Sequence, residues 1–312
     1  MDCDVLIVGG GPAGMTAAIY LARAGFQTIL LDPSGGGGLA STTDMIHNYP
    51  GFPGGVSGFG LMESMAEQAK AFGARIMYGE VLDIRRNNGS FFARTSSGEY
   101  VSRAVIYAAG TTPRKLGVPG EGELMGKGVS FCATCDGPLY KDKVVAVVGG
   151  GDSALTEAEF LTRFARKVIL IHRRDRFRAG QAAIKRIEGH PKIDLMLSSI
   201  VTEIRGDGRL TSVLVKNLVS NQIREISVDG LFLYIGWDPN VAPIRHLVDV
   251  TESGHVRTGE DMSTKTPGLF VAGDIRHKPF RQVATAVGDG ANAAWSSERF
   301  LMEEGEYIAK QG

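Results

Sequence analysis

Two glycine fingerprints of the kind that open a dinucleotide-binding βαβ unit flank a single Cys-x-x-Cys, and that order restricts the chain to few folds. The first reads Val8-Gly9-Gly10-Gly11-Pro12-Ala13-Gly14 and the second Val148-Gly149-Gly150-Gly151-Asp152-Ser153-Ala154. Between them lies Cys132-Ala133-Thr134-Cys135-Asp136. Such a turn has a purpose only with a strand before it and a helix after it. The glycines allow a tight turn and close backbone approach, and the helix N-terminus then faces a pyrophosphate. Two nucleotide sites and a dithiol describe three stations for an electron pair.

The flanking residues supply that context. Asp4-Val5-Leu6-Ile7-Val8 reads as a short parallel strand buried on both faces. A helix follows over residues 13 to about 24, with Met15, Ala18, Ile19 and Ala22 on its core face, and Gly25 ends it. Residues 28–31 form the next strand, with Asp32 at its carboxyl end, where an acid takes ribose hydroxyls. The pattern repeats with a strand over 143–148, a helix over 153 to about 164 and a strand over 168–171. No acid follows this time. Instead comes His172-Arg173-Arg174-Asp175-Arg176-Phe177-Arg178. A carboxylate there would repel a 2′-phosphate, whereas arginines pair with it bidentately. The first site therefore suits a ribose without a 2′-phosphate, the second a ribose that carries one.

The remaining segments set the domain plan. Residues 101–113 read as a strand closing on a glycine turn that includes Ala109 and Gly110, and residues 113–122, rich in Pro and Gly, read as a crossing linker. Later come a strand over 230–236, a turn at Trp237-Asp238-Pro239-Asn240, a strand over 268–274 ending in Asp274, and a small-residue helix over 282–300. This last part has no fingerprint of its own and must complete the first domain. The fold class expected is α/β, with two Rossmann-like dinucleotide-binding domains of three-layer ββα type, the second inserted in the first. The boundaries expected are 1–113 with 242–312 for one, and 114–241 for the other. Trp237 and Trp295 read as packing residues.

Composition narrows the function classes. Glycine numbers 42 of 312 residues, nearly twice the usual share of roughly 7%. Basic and acidic residues balance at 34 each, which gives no broad positive field for nucleic acid. No secretory signal pattern or apolar run of about 18 residues is visible, so a cytoplasmic protein with no membrane or nucleic-acid partner is expected. With only three cysteines the chain is no disulfide-stapled secreted scaffold. A vicinal Cys-x-x-Cys can cycle between disulfide and dithiol, its nucleophile being the thiolate. Asp136 is a candidate acid for protonating the departing sulfur. Zinc would need four ligands, and Cys3, the remaining cysteine, opens the first strand. Cys3 reads as a small buried apolar residue.

These motifs resemble the low-molecular-weight thioredoxin reductases, class II flavoproteins of the bacterial and plant type, along nearly the whole chain. The resemblance rests on Cys132-Ala-Thr-Cys135-Asp136-Gly137, the second fingerprint, the 172–178 arginine run, Asn48-Tyr-Pro-Gly51, Ala109-Gly-Thr111, Gly273-Asp274 and Arg281-Gln282-Val283-Ala284. It implies FAD on Gly9, Gly11, Pro12, Ala13 and Gly14, with Asp32, Gly38, Asn48, Ala109, Gly110, Gly273, Asp274, Arg281, Gln282 and Val283 around it. It implies NADPH on Gly149, Gly151, Asp152, Ser153, Ala154, His172, Arg173, Arg174 and Arg178, with Arg173, Arg174 and Arg178 holding the 2′-phosphate. Cys132 and Cys135 would carry the electrons, Cys135 facing the flavin and Cys132 attacking a protein disulfide, with Asp136 as proton donor. The partner implied is thioredoxin or a similar small redoxin. A homodimer is implied as well, with the NADPH domain rotating about linkers near 113–118 and 238–243. Alternatives are another redoxin, ferredoxin as electron donor, a ferredoxin–NADP reductase, or a non-catalytic redox-sensing flavoprotein. Three positions depart from the family pattern: Leu39 stands where a glutamine is usual, Pro138-Leu139 where an aromatic pair is common, and Lys127 where an arginine is common.

Overall fold

Strand β1 (Cys3–Val8) can be apolar on both faces because both are covered, and only Asp4 keeps partial exposure. In the computed structural model, which describes residues 2–43 and 45–309 with side chains to residue 303, helix α1 (Pro12–Arg23) follows at once. It starts one residue before the expected position. Pro12 suits the first helical position, since its φ is already helical and its missing N–H has no partner to lose. Met15, Ala18, Ile19 and Ala22 are all buried, and Gly25 closes the helix at φ 88°. Strand β2 (Thr28–Asp32) runs parallel to β1, with Val5 opposite Thr28 and Val8 opposite Leu31. Helix α2 (Gly58–Ala71) leads to β3 (Arg75–Tyr78), parallel to β2.

An antiparallel meander follows: β4 (Val81–Asn87), β5 (Ser90–Thr95) and β6 (Gly98–Tyr107). The second half of β6 returns to pair in parallel with β1, Val5 opposite Ala104. One long strand thus serves both the meander and the parallel sheet. The single strand expected over 101–113 is two pieces. β6 stops at Tyr107, Gly110 turns the chain at φ 62°, and β7 (Thr111–Pro113) begins anew.

The second unit opens with β8 (Val129–Ser130) and the one-turn helix α3 (Ala133–Asp136). It continues as β9 (Val144–Gly149), α4 (Asp152–Leu161), β10 (Lys167–Ile171), α5 (Gln181–Ile187) and β11 (Ile193–Met196). A meander of β12 (Ser199–Gly206), β13 (Leu210–Asn217) and β14 (Ile223–Ser227) precedes β15 (Gly230–Tyr234). The parallel sheet is ordered β11-β10-β9-β15-β8. Helix α4 ends at Leu161 rather than near 164. There the Thr162 hydroxyl donates to the Glu159 carbonyl at 2.6 Å, and the Lys192 ammonium donates to the Thr162 and Ala165 carbonyls at 2.8 and 3.2 Å.

The expected turn at 237–240 is largely extended: β16 (Trp237–Pro239) pairs with β7. The chain ends with β17 (Leu269–Val271), parallel to β6, and α6 (Val283–Ala309), which continues past the expected stop at Phe300. Two compact units result, Met1–Thr112 with Asp238–Gly312, and Pro113–Trp237. In each, apolar clusters cover both faces of the parallel sheet. Cys3 is buried as expected, its thiol pushed up to about 12 by burial. Trp295 departs from expectation. It is 53% exposed, with the Arg299 guanidinium 5.0 Å from its ring centre. Among the described residues no helix is long and apolar enough to cross a membrane.

Helix α6 lies on α1, and a Cβ added to Gly290 would collide with the Ala13 carbonyl. Gly290→Ala is therefore expected to cost about 1–3 kcal/mol of stability, read as a lower urea midpoint at unchanged slope.

Candidate active site: two nucleotide cradles and a dithiol

The first cradle is held by backbone that only glycine permits. Gly9 turns at φ 102°, and a Cβ on Gly14 would collide with the Gly9 carbonyl. A Cβ on Gly11 would meet nothing within 4 Å, so this glycine faces open space, as a phosphate cradle requires. Gly36, Gly37 and Gly38 all take positive φ and lie against the fingerprint, the Gly37 N–H donating to the Gly10 carbonyl at 2.8 Å. Asp32 fastens these two loops together. Its carboxylate accepts from the Gly10 N–H at 2.7 Å, the Ser34 hydroxyl at 2.5 Å, the Ser34 N–H at 2.8 Å and the Gly36 N–H at 3.0 Å. Burial pushes its pKa up, but those bonds outweigh burial and hold it below the ordinary value. This loop-tying role was not visible in the sequence, where Asp32 reads as a ribose ligand.

Other residues expected around this nucleotide lie against the fingerprint or against one another. Gly9 closes on the Ala109 backbone, and Asn240 holds that turn, donating from Nδ2 to the Ala109 carbonyl and from its N–H to the Gly110 carbonyl at 2.8 and 3.1 Å. A Cβ on Gly273 would lie 3.1 Å from the Ala13 side chain, at the start of α1. Arg281 donates to the Asp274 carbonyl at 3.1 Å, and Asn48 donates to the Gln282 side chain at 2.9 Å. Asp274 Oδ1 is buried and accepts no hydrogen bond among the described residues, although Lys278 stands 3.3 Å away. Burial pushes that carboxyl up, with Lys278 and Arg281 opposing the shift. A ligand hydroxyl would satisfy the open acceptor.

Sequence reasoning missed Asp289. This buried acid on α6 pairs with Arg276 at 2.8 Å and Lys278 at 2.9 Å and accepts from the Gly273 N–H at 3.1 Å. The signal was present as Gly288-Asp289-Gly290, a lone acid between two glycines in a helix of small residues. Replacing Asp32 with Asn turns acceptors toward donors and is expected to cost about 1–3 kcal/mol. Because the folded pKa is depressed, Asp32 stabilises the fold above its unfolded pKa of about 3.9 and ceases to do so as pH falls through the folded value. The deficit of Asp32→Asn in chemical denaturation should therefore be full at neutral pH and shrink below about pH 4.

The second cradle repeats the plan. Gly149 turns at φ 154°, and a Cβ on Gly151, the residue capping α4, would again meet nothing within 4 Å. Asp152 accepts from the Gly180 N–H at 2.8 Å. The arginine run is tied to the fingerprint by the Arg178 N–H, which donates to the Gly150 carbonyl at 2.8 Å. His172 is buried, stacked on Phe177 at 5.5 Å, and its ring fills the space that a Gly150 Cβ would take. Burial lowers its pKa, and the charges of Arg174, Arg178 and Arg173 lower it further. Arg173, Arg174 and Arg178 are all exposed. His172 itself packs on Phe177 and against Gly150, beneath the arginine loop.

The dithiol lies in this same unit. Cys132 and Cys135 form a disulfide with Cα atoms 5.3 Å apart. Both residues are half-buried, and Cys132 Sγ accepts from the Cys135 N–H at 3.1 Å. The Cys132 N–H donates to the Ser130 hydroxyl at 3.0 Å, and the Ala133 N–H to the Tyr234 hydroxyl at 2.6 Å. The Cys135 N–H would also favour a thiolate on Cys132. Asp136 is half-buried beside the pair. Pro138 and Leu139 follow it to the surface, Leu139 being 49% exposed.

Two nucleotide cradles with a redox-capable disulfide define a class of electron-transfer enzymes. The chain matches the pyridine nucleotide-disulphide oxidoreductase family over residues 3–290, and it belongs to that family. It is 43% identical over 301 residues to a thioredoxin reductase of Bacillus subtilis, covering 96% of this chain and 95% of that one. It is 42% identical to a thioredoxin reductase of Treponema pallidum, covering 96% and 97%. Its fold superposes on the crystal structure of thioredoxin reductase from Streptococcus pyogenes with a TM-score of 0.93, at 39% identity and with 96% and 98% coverage.

Proposed function

We propose that the protein is a thioredoxin reductase, in which electrons from NADPH pass by way of FAD to the Cys132–Cys135 disulfide and on to thioredoxin. The observation that carries this reading is the disulfide itself, formed in a half-buried turn of the unit that bears the second fingerprint and its arginines. We take Met1–Thr112 with Asp238–Gly312 as the FAD-binding domain and Pro113–Trp237 as the NADPH-binding domain of a cytoplasmic homodimer. FAD, when bound, supplies the two-electron relay between nicotinamide and disulfide.

The chain's own residues do the rest. Gly9, Gly11, Pro12, Ala13 and Gly14 hold the flavin nucleotide's pyrophosphate, and the open acceptor on Asp274 takes a hydroxyl. Gly149, Gly151 and the start of α4 hold the second pyrophosphate, and Arg173, Arg174 and Arg178 clamp the 2′-phosphate. Reduction breaks the Sγ–Sγ bond, and the two sulfurs receive two electrons. The Cys132 thiolate then attacks a disulfide of thioredoxin, releasing one of its sulfurs, which Asp136 protonates. Cys135 attacks Cys132 Sγ in the mixed disulfide, restoring the internal bond and freeing reduced thioredoxin. Leu139, in place of an aromatic pair, favours a second reading in which the partner is another small redoxin with a smaller apolar contact. Purified holoprotein should oxidise NADPH rapidly only when oxidised thioredoxin is present. A rate that ignores thioredoxin overturns the proposal, and acceleration by a different redoxin selects the second reading.

A further inference from the structure

The loop that carries the arginines is tied down at both ends. At its far end the Arg178 N–H donates to the Gly150 carbonyl at 2.8 Å, and the Gly180 N–H donates to the Asp152 carboxylate at 2.8 Å. At its near end the ladder between β10 and β11 continues past both strands. The His172 N–H donates to the Met196 carbonyl at 2.9 Å, and the His172 carbonyl accepts from the Ser199 N–H at 2.9 Å. The Arg174 carbonyl accepts from the Ser198 N–H, also at 2.9 Å. Arg173, which is exposed, thus lies between two residues whose backbone is bonded to the turn that joins β11 to β12.

That turn is strained. Ser198 takes φ 49°, in the left-handed region. Asn88, Asp142 and Asn221 share a positive φ, but Asn and Asp enter this region readily, and Met262 is packed in the core of the other unit. Serine has no such preference. A residue in this state persists only where its surroundings over-determine it, and here they do. Leu197 packs on the apolar cluster of the second unit, and the buried Ser199 donates from its hydroxyl to the Leu197 carbonyl at 2.8 Å. Ser199 pairs with Asn217 of β13, and the Ser198 carbonyl accepts from the Leu218 N–H at 2.6 Å. The φ of Ser198 lies between its own N–H and that of Ser199. A large change in that dihedral alone cannot leave both donors on the arginine loop.

We propose that Ser198 is a positioning residue for coenzyme choice, its left-handed turn fixing residues 172–174 so that a nucleoside 2′-phosphate meets arginines whose backbone is already set. The inference rests on the assignment of NADPH to the second cradle. Long exposed arginine side chains lose rotamer freedom when they bind, and a backbone that also had to be ordered would weaken binding further. A loop that holds its binding arrangement only about a tenth of the time binds about tenfold more weakly. The bonds from the turn reach His172 and Arg174, whereas the fingerprint is tied separately to Arg178 and Gly180. Loss of the brace should therefore be felt at the 2′-phosphate and not at the rest of the nucleotide.

The test is isothermal titration of the full-length holoprotein with 2′,5′-ADP and with 5′-AMP, which differ only in the 2′-phosphate. Proline at 198 cannot take a positive φ and has no N–H to give to Arg174. Ser198→Pro should therefore lower the affinity ratio of 2′,5′-ADP over 5′-AMP about tenfold, with 5′-AMP binding as in the parent. Ser198→Asn, which accepts the left-handed conformation, should keep the parent's ratio. A parent-like ratio in folded Ser198→Pro, an equal loss for both nucleotides, or a lost ratio in Ser198→Asn overturns the inference. Should Ser198→Pro not fold, Ser198→Val decides. It keeps the N–H, but its β-branched side chain resists positive φ, so a parent-like ratio there is equally fatal. If the parent itself does not discriminate between the two nucleotides, the NADPH reading fails and the inference falls with it.

Discussion

Cys135→Ser is expected to leave the protein folded and its flavin reducible by NADPH, while reduction of thioredoxin falls at least about a thousandfold, to background. Stability should change little, because the bond closes a very short loop and so constrains the unfolded chain only weakly. Its removal acts on chemistry. With serine at 135 the remaining thiol can attack a substrate disulfide, but no second sulfur is present to resolve the product. A covalent adduct between the variant and thioredoxin should therefore accumulate under non-reducing conditions. Parallel assays of flavin bleaching and thioredoxin reduction check the point. Wild-type turnover by the variant would remove the dithiol from the path.

The second large effect is on coenzyme choice. Arg173, Arg174 and Arg178 are exposed on the loop after β10, which the bond from the Arg178 N–H to the Gly150 carbonyl ties to the fingerprint and beneath which His172 packs. Each charge-assisted contact to a phosphate is worth about 1.5–3 kcal/mol. Arg173→Ala with Arg174→Ala should therefore lower kcat/KM for NADPH by roughly 100-fold or more, mostly through KM, and leave NADH nearly unchanged. Equal losses with both coenzymes would mean that the arginines shape the loop rather than bind the 2′-phosphate. His172→Leu should produce a milder loss of the same preference, since it removes only the support beneath the loop.

Much of this was legible in the sequence because the two fingerprints impose backbone conformations that few other residues tolerate. Gly9, Gly14 and Gly149 are where glycine is obligatory, and the strands and helices around them follow from simple periodicity. The cradle residues far apart in sequence, such as Asn48 with Gln282 and Gly273 with Ala13, were reachable only through family resemblance, since nothing local links them. What escaped was set by long-range partners. Lys192 binds the Thr162 and Ala165 carbonyls just past the end of α4, contacts from 30 and 27 residues away. The segment at 237–240 looks like a turn from Asp-Pro-Asn, yet it is extended because β7 supplies a partner strand. Asp32 and Asp289 organise loops through hydrogen bonds whose donors the sequence does not mark. Trp295 read as a packing residue, but on α6 it is 53% exposed, with the Arg299 guanidinium over its ring.

In the proposed function NADPH, flavin and the Cys132–Cys135 disulfide form one electron path. Anaerobic titration of the purified holoprotein with NADPH, followed in the flavin absorption band, tests it most directly. Full bleaching should require about two equivalents, because flavin and disulfide each accept one electron pair, and Cys135→Ser should need about one. A flavin that stays oxidised under NADPH, yet bleaches with dithionite, would contradict the account and exclude the second fingerprint as the donor site.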